Sequence, residues 1–214
     1  TRPKFIPRVL DRKLYNLNKT ILMMDRKVSD RTILDEFAEN FCEIVEKYVK
    51  YIVCSGFVSI AHGRSRGTED IDMIIERIPK EKFIQLHRDL EKKGFECMQS
   101  DNPETIYEDY LVNGDSIRYT LGGGVPPEME VKFAKDILDE EQLKTRKKLP
   151  FTGLDIYFSS IESNIAFKEE LLKSDKDMED AKHLRIIYKG EINEEIIKKI
   201  KKDIRILRLK KNER

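Results

Sequence analysis

Two aspartates one residue apart, Asp70 and Asp72, are the side chains best placed to do chemistry in this 214-residue chain. Ile71 and Met73 alternate with them, which predicts a β-strand over residues 70–75. Side chains two apart on a strand leave the same face, so the carboxylates would lie together, roughly 7 Å apart at their Cα atoms. Two such carboxylates repel each other unless a cation lies between them, and Mg²⁺ prefers oxygen ligands. The pair therefore predicts a divalent-cation site, although an Asp-x-Asp also occurs by chance on many strand edges.

The segment before this strand is rich in groups that bind phosphate. Residues 62–69 contain two glycines for close backbone approach, two arginines with forked donors and two hydroxyl side chains: Gly63, Gly67, Arg64, Arg66, Ser65 and Thr68. Earlier, Ser55 and Gly56 stand where a predicted strand turns into a short helix, a place where free backbone N–H groups favour phosphate. A triphosphate with its metals would fit between these two features. A polar strand-end loop with one salt bridge is the alternative.

Together, residues 55–58 and 63–72 resemble the signature of the polymerase-beta superfamily of nucleotidyltransferases: a Gly-Ser or Gly-Gly pair, a spacer, then Asp-hydrophobic-Asp. Within that superfamily the chain is most similar to the group that includes the abortive-infection (AbiEii-type) toxin nucleotidyltransferases and their archaeal relatives. The resemblance spans about residues 50–190. It implies an α+β fold, with a nucleotidyltransferase-type mixed sheet flanked by helices and followed by a C-terminal helical region.

The same resemblance implies roles for residues further along the chain. Glu130, on another predicted strand, would be the third carboxylate, and Asp70, Asp72 and Glu130 would hold Mg²⁺ or Mn²⁺. Lys168 would neutralise the β- and γ-phosphates of an NTP, and Asp180 would orient Lys168 or the base. Each has a plainer interpretation, with Lys168 as a solvated helix position and Asp180 as a favourable charge in the first turn of a helix.

The hydrophobic pattern predicts the elements that must position these residues. Apolar side chains recur at spacings of three and four in residues 30–49, which indicates an amphipathic helix. Further helices are predicted over residues 79–94, 137–147, 161–173, 175–188 and from 194 onward, and strands over 51–54, 70–75, 95–98, 117–121, 129–133 and 154–158. We therefore divide the chain into a basic N-terminal arm or extension (residues 1–29), a nucleotidyltransferase domain (30–158) and a C-terminal helical region with a basic tail (159–214).

Charge is distributed unevenly along the chain, although the net charge is only +1. Residues 1–23 carry six basic side chains against one acidic, and residues 198–214 carry nine against two. An acidic body with basic ends would hold cations in the body and dock a polyanion at the ends. The alternative for the C-terminus is a solvated basic helix.

The sequence shows no apolar run long enough to cross a bilayer and no signal-peptide core, so we expect a cytoplasmic protein with no membrane partner. The cysteines Cys42, Cys54 and Cys97 are far apart and each lies in an apolar stretch. This spacing favours buried free thiols over a zinc site, which would want closely spaced pairs.

The function that the resemblance implies is transfer of a nucleoside monophosphate from an NTP, such as ATP, by a two-metal mechanism. The acceptor would be a hydroxyl on RNA such as tRNA, on a protein or on a small molecule. A second hypothesis is a catalytically degenerate module of the same fold that binds nucleotide or RNA. Three candidate carboxylates favour the enzyme, whereas Phe57 stands where the superfamily has a small residue against phosphate. A toxin–antitoxin component covered by an antitoxin-like protein partner is compatible with both.

Overall fold

The computed structural model describes residues 32–68 and 70–212, and the predicted N-terminal arm lies outside them. One mixed sheet runs through the described chain. Its strands are β1 (Tyr51–Cys54), β2 (Asp70–Ile75), β3 (Phe95–Cys97), β4 (Ile117–Leu121), β5 (Glu128–Phe133), β6 (Lys147–Lys148) and β7 (Tyr157–Phe158). They lie side by side in the order β3-β4-β5-β2-β1-β7-β6. β2 is antiparallel to β1 and parallel to β5. The predicted α+β fold with a mixed sheet is confirmed.

Helices flank this sheet and make up most of the chain after β7. They are α1 (Ile33–Glu46), α2 (Gly56–Ala61), α3 (Lys80–Glu91), α4 (Pro103–Thr105), α5 (Ile137–Lys144), α6 (Ile161–Phe167), α7 (Asp175–Ile187) and α8 (Glu194–Asn212). α4 continues directly into a π-helical segment, Ile106–Leu111, and α6 into another, Lys168–Leu172. Residues Ile33–Arg214 group as one compact unit, and the division of the chain near residue 159 stays a prediction.

The amphipathic pattern of α1 explains how the sheet is covered on one face. Phe37, Phe41 and Val45 lie on one side of the helix and are almost wholly buried. The Phe41 ring meets Phe95 of β3 edge-on, with centroids 5.1 Å apart, and also contacts Tyr119 of β4. Burying side chains of this size contributes about 1.5–3 kcal/mol each. α1 therefore fixes the edge strand β3 and its neighbour β4 relative to the centre of the sheet.

The central strand β2 is amphipathic in the way that its sequence predicts. Ile71, Met73 and Ile75 are fully buried, whereas Asp70 and Asp72 face the opposite side and remain partly accessible. The buried row packs into the main core and makes β2 a rigid support. The position of the two carboxylates is therefore set by the packing behind them.

Two elements near residues 147 and 154 are shorter in the structure than predicted. The strand predicted over residues 154–158 is limited to Tyr157–Phe158, because Leu154 and Ile156 bury their side chains in the core after a 3₁₀ turn, Pro150–Thr152, that ends at Gly153 with φ of 67°. The helix predicted to reach residue 147 ends at Lys144. Lys147 and Lys148 instead pair with β7 as β6.

Some basic side chains of the C-terminal helix α8 form ion pairs with acidic residues of the same chain. Lys201 contacts Glu169 at 2.5 Å, and Arg205 contacts Glu170 at 3.0 Å. Both glutamates belong to the π-helical segment after α6, so α8 is fixed to the helices before it. Among the described residues, α8 and the other helices all lack the combination of length and apolar character that membrane spanning requires.

Candidate active site

The parallel pairing of β2 with β5 brings four carboxylates onto one face of the sheet. Asp70 lies opposite Glu128, and Asp72 lies opposite Glu130. Neighbouring strands are about 4.8 Å apart, so these acidic side chains are close neighbours across the strands as well as along them. Like charges placed directly opposite each other destabilise a sheet. Two cations of the protein, Arg118 of β4 and Lys132 of β5, offset part of this repulsion.

Asp72 has the most perturbed environment of the four carboxylates. Burial raises its pKa above the usual aspartate range, and the nearby Asp70 and Glu130 raise it further. Lys132 and a hydrogen bond from the Ser55 hydroxyl act in the opposite direction and lower it. The charged form of Asp72 is thus only partly compensated in the folded chain, which is what a cation ligand requires.

The pKa shift of Asp72 has a consequence for stability. In metal-free buffer at neutral pH, Asp72→Asn should raise the melting temperature by roughly 2–4 °C, the usual response of a chain of this length to about 1 kcal/mol. The folded-state pKa lies above the unfolded value, so the folded protein binds more protons between the two and loses stability as pH rises through that window. The advantage of the variant should therefore vanish below the usual aspartate pKa. Thermal melts from low to neutral pH measure this, with Asp109→Asn as the control for an exposed aspartate, and an equal gain at all pH values would contradict it.

Asp70 and Glu130 face different partners. The Thr68 hydroxyl donates to the Asp70 carboxylate at 3.1 Å, whereas Glu130 accepts from the Arg118 guanidinium at 3.1 Å and 3.3 Å. Within residues 32–68 and 70–212, no three side chains of His, Cys, Asp or Glu are grouped closely enough to hold a metal ion as they stand. As the described chain stands, Asp70 and Asp72 have no third acidic side chain grouped with them, and Glu130 is paired with Arg118.

Asp180, predicted to orient Lys168, is the centre of a buried ion-pair network. It is fully buried on α7, and its carboxylate accepts from Lys168 Nζ at 2.8 Å and from Arg66 Nη1 at 2.6 Å. Arg64 pairs with its other oxygen. One buried carboxylate thus holds three cations, so the plainer interpretation of Asp180 as a first-turn helix charge does not describe its surroundings.

Lys168 is buried rather than solvated, with only 1% of its side chain exposed. It opens the π-helical segment after α6. Burial lowers its pKa below the usual lysine range, and the neighbouring Asp177, 3.4 Å away, raises it in compensation. Its ammonium group is paired with Asp177 and with Asp180, which also holds the two arginines of the Arg64 loop (residues 63–68).

The glycine and serine predicted to bind phosphate lie next to this network. Ser55 has a positive φ of 64° between β1 and α2, a strained conformation for a residue with a side chain. A Cβ on Gly56 would stand 3.0 Å from the Arg66 guanidinium. Gly56 therefore lets Arg66 lie against the start of α2, which brings the Arg64 loop over the Ser55 turn.

The remaining predicted loop residues are more open. Gly63 is exposed with φ of 84°, a conformation that glycine adopts without cost. Ser65 is exposed. These positions leave room for a ligand along the outer side of the Arg64 loop.

An open cleft of about 490 Å³ lies between the Arg64 loop and β4–β5. The predicted residues Arg66, Thr68 and Asp70 form one side of it. The sequence interpretation assigned no role to three further lining residues, Arg118, Glu128 and Lys176. Glu128 shares the alternation that singled out Glu130, and Lys176 stands in the same helix turn as Asp180, but Arg118 had no signal other than its place on a predicted strand.

Phe57, the departure from the superfamily pattern, belongs to the core. It is fully buried, and its ring stacks on Phe158 of β7 with centroids 6.4 Å apart. The ring points away from the carboxylate face of the sheet into the main core. A phosphate contact at this point of the chain would have to come from Ser55 or from backbone groups.

No protein-family model and no curated protein matches this chain. Similar solved structures include the antibiotic-resistance factor ANT(2'')-Ia in solution, at 13% identity and a TM-score of 0.49 over 84% of this chain and 97% of that one. They also include ANT(2'')-Ia in complex with adenylyl-2''-tobramycin, at 14% identity and a TM-score of 0.49 over 81% of this chain and 98% of that one. A third similar structure is terminal uridylyl transferase 4 from Trypanosoma brucei with bound GTP. Its sequence identity is 12% and its TM-score is 0.31, over 88% of this chain and 74% of that one. Because similarity at this level establishes neither activity nor substrate, we infer the function from the chain's own residues.

Proposed function

We propose that this chain is a nucleotidyltransferase that moves a nucleoside monophosphate from an NTP to an acceptor hydroxyl. The observation that carries the proposal is the parallel β2–β5 register, in which Asp72 lies opposite Glu130 on the same face as Asp70. The Ser55 and Thr68 hydroxyls contact this aspartate pair, and the cleft opens beside it. Acidic ligands, hydroxyls and arginines around one cleft are the groups that positioning a triphosphate requires.

The residues present fit a divalent cation such as Mg²⁺ or Mn²⁺. Asp70 and Asp72 would hold one ion, and with Glu130 they would hold a second. The partly compensated charge of Asp72 and the crowding of carboxylates on this face support that assignment. When bound, the ions would neutralise the triphosphate and lower the pKa of the acceptor hydroxyl.

The other candidate residues would position the nucleotide. Ser55 and Gly56 would lie along the phosphates, together with Gly63, Arg64, Ser65, Arg66 and Thr68 of the loop. Asp180 fixes Arg64 and Arg66, so the loop would meet the NTP in a preorganised conformation, which reduces the entropy lost on binding. Lys168 would act through Asp180, as a buried counter-charge for this carboxylate.

A second candidate function is a module that binds NTP or RNA without turnover. The specific observation in its favour is that the Glu130 carboxylate is already paired with the Arg118 guanidinium. The finer hypothesis of a tRNA or protein acceptor belongs to the enzyme, whereas an antitoxin-like partner fits either function. The cleft-lining cations Arg66, Arg118 and Lys176 are compatible with an anionic acceptor such as RNA.

The test is incubation of the chain with each α-³²P-labelled NTP, Mg²⁺ or Mn²⁺, and one of three acceptors: total RNA, total protein or an aminoglycoside. We expect label on one acceptor class, and none with the Asp70→Ala/Asp72→Ala double variant. Equal labelling by both proteins would contradict the proposal. If the wild type labels nothing but an NTP with Mg²⁺ raises its melting temperature, the binding module is the correct function.

A further inference from the structure

Arg118 faces the glutamate half of the carboxylate cluster. It lies on β4 directly opposite Glu130 of β5. Its Nη2 and Nε atoms donate to the same Glu130 oxygen at 3.1 Å and 3.3 Å, and Nε lies 3.7 Å from Glu128. One guanidinium thus lies beside two carboxylates and offsets the repulsion between them.

The aspartate half of the cluster has no such partner. In the part of the chain that the structure describes, neither Asp70 nor Asp72 forms an ion pair with a lysine or arginine, and their polar contacts include the hydroxyls of Thr68 and Ser55. The compensating charge of the protein is therefore placed asymmetrically. The glutamates already have an ion-pair partner, whereas the aspartates have only the longer-range charges of Lys132 near Asp72 and Arg118 near Asp70.

We infer that the Arg118 guanidinium takes the place of the second divalent cation, and must leave Glu130 before that cation binds. The inference rests on the proposed function for the existence of the cation sites. Glu130 has one carboxylate, and the oxygen that accepts both Arg118 hydrogen bonds cannot keep them while it ligates an ion. The first cation, on Asp70 and Asp72, would displace no ion-paired lysine or arginine of the described chain.

The Arg118–Glu130 ion pair can break at little cost, because Arg118 is its more exposed partner. The Arg118 side chain is 45% exposed, whereas those of Glu128 and Glu130 are 17% and 18% exposed. An arginine with that much access to water loses little when it rotates away, because exposed ion pairs contribute little net stability. Cation binding should consequently be stepwise, with a tight first event and a weaker second event that displaces Arg118.

The test is a titration of the whole chain with Mn²⁺, followed by the electron paramagnetic resonance signal of the free ion. Arg118→Met removes the competing charge and keeps an unbranched side chain, so the second dissociation constant should fall by about fivefold or more, the lower end of usual coupling between competing ligands. The matched control is Arg88→Met, which removes the same charge from an exposed position on α3. It should leave both constants unchanged.

A second dissociation constant in Arg118→Met that equals or exceeds that of Arg88→Met would overturn the inference, as would a single bound ion in every protein. Label transfer separates this result from the proposed function. If the wild type transfers label but Arg118→Met does not lower the second Mn²⁺ dissociation constant, the inference alone is overturned. If the wild type transfers no label but Arg118→Met does lower the second Mn²⁺ dissociation constant, the proposed function alone is overturned.

Discussion

Asp70→Asn and Asp72→Asn should each lower the rate of nucleotidyl transfer by about 10³-fold, which corresponds to roughly 4 kcal/mol of barrier. Each amide keeps the shape of the carboxylate and removes the charge that holds a cation. The measurement is kcat under saturating NTP and Mg²⁺. The melting temperature in metal-free buffer separates chemistry from folding, because Asp72→Asn should there melt at a higher temperature than wild type although it has lost activity.

The matched control for this pair is Asp109→Asn, which makes the same chemical change at an exposed aspartate in the π-helical segment after α4. Its rate should equal that of wild type. A loss of less than about tenfold in both site variants would show that the two carboxylates do not hold the ion that the transfer needs.

Asp180→Ala should destabilise the fold by about 3–5 kcal/mol, since it leaves a buried lysine without its closest counter-charge. Lys168 is almost wholly buried, and Asp180 is its shortest ion-pair contact. For a chain of this length the loss corresponds to a fall in melting temperature of roughly 10 °C. Thermal or urea unfolding measures it.

Glu179→Ala is the control for Asp180→Ala, because Glu179 lies on the same helix and also pairs with Arg64, but its side chain is 69% exposed. We expect less than about 1 kcal/mol for this variant. Lys168→Met in the Asp180→Ala background should recover part of the lost stability, since it removes the uncompensated charge. Equal melting temperatures for Asp180→Ala and Glu179→Ala would show that the buried network does not stabilise the chain.

Local sequence patterns predicted most elements of the sheet because each depends on neighbouring residues. The alternation of β2 and β5 fixed which side chains face the core, and therefore placed Asp72 and Glu130 on the polar faces of their strands. The lengths of the elements near residues 147 and 154 were less well predicted. Leu154 and Ile156 are apolar like strand residues, but they are buried without pairing, and periodicity cannot tell the two situations apart.

Roles that depend on contacts between distant segments could not be read from spacing. Arg64 and Arg66 were predicted to contact phosphate because of their residue type, yet both pair with Asp180, more than a hundred residues later. The role of Arg118 was missed for the same reason. An arginine on a strand has no distinguishing local signal until the neighbouring strand is known.

The amino-acid sequence by itself determined that Asp70 and Asp72 share one face of a rigid strand, since strand periodicity and the buried row of Ile71, Met73 and Ile75 are local properties. Only the tertiary structure decided which carboxylates and cations meet them. The parallel register of β2 with β5 set Glu130 opposite Asp72, and the packing of α7 placed Asp180 under the Arg64 loop. Those pairings arise from contacts between segments far apart in the chain, whose geometry is fixed by how the whole core packs.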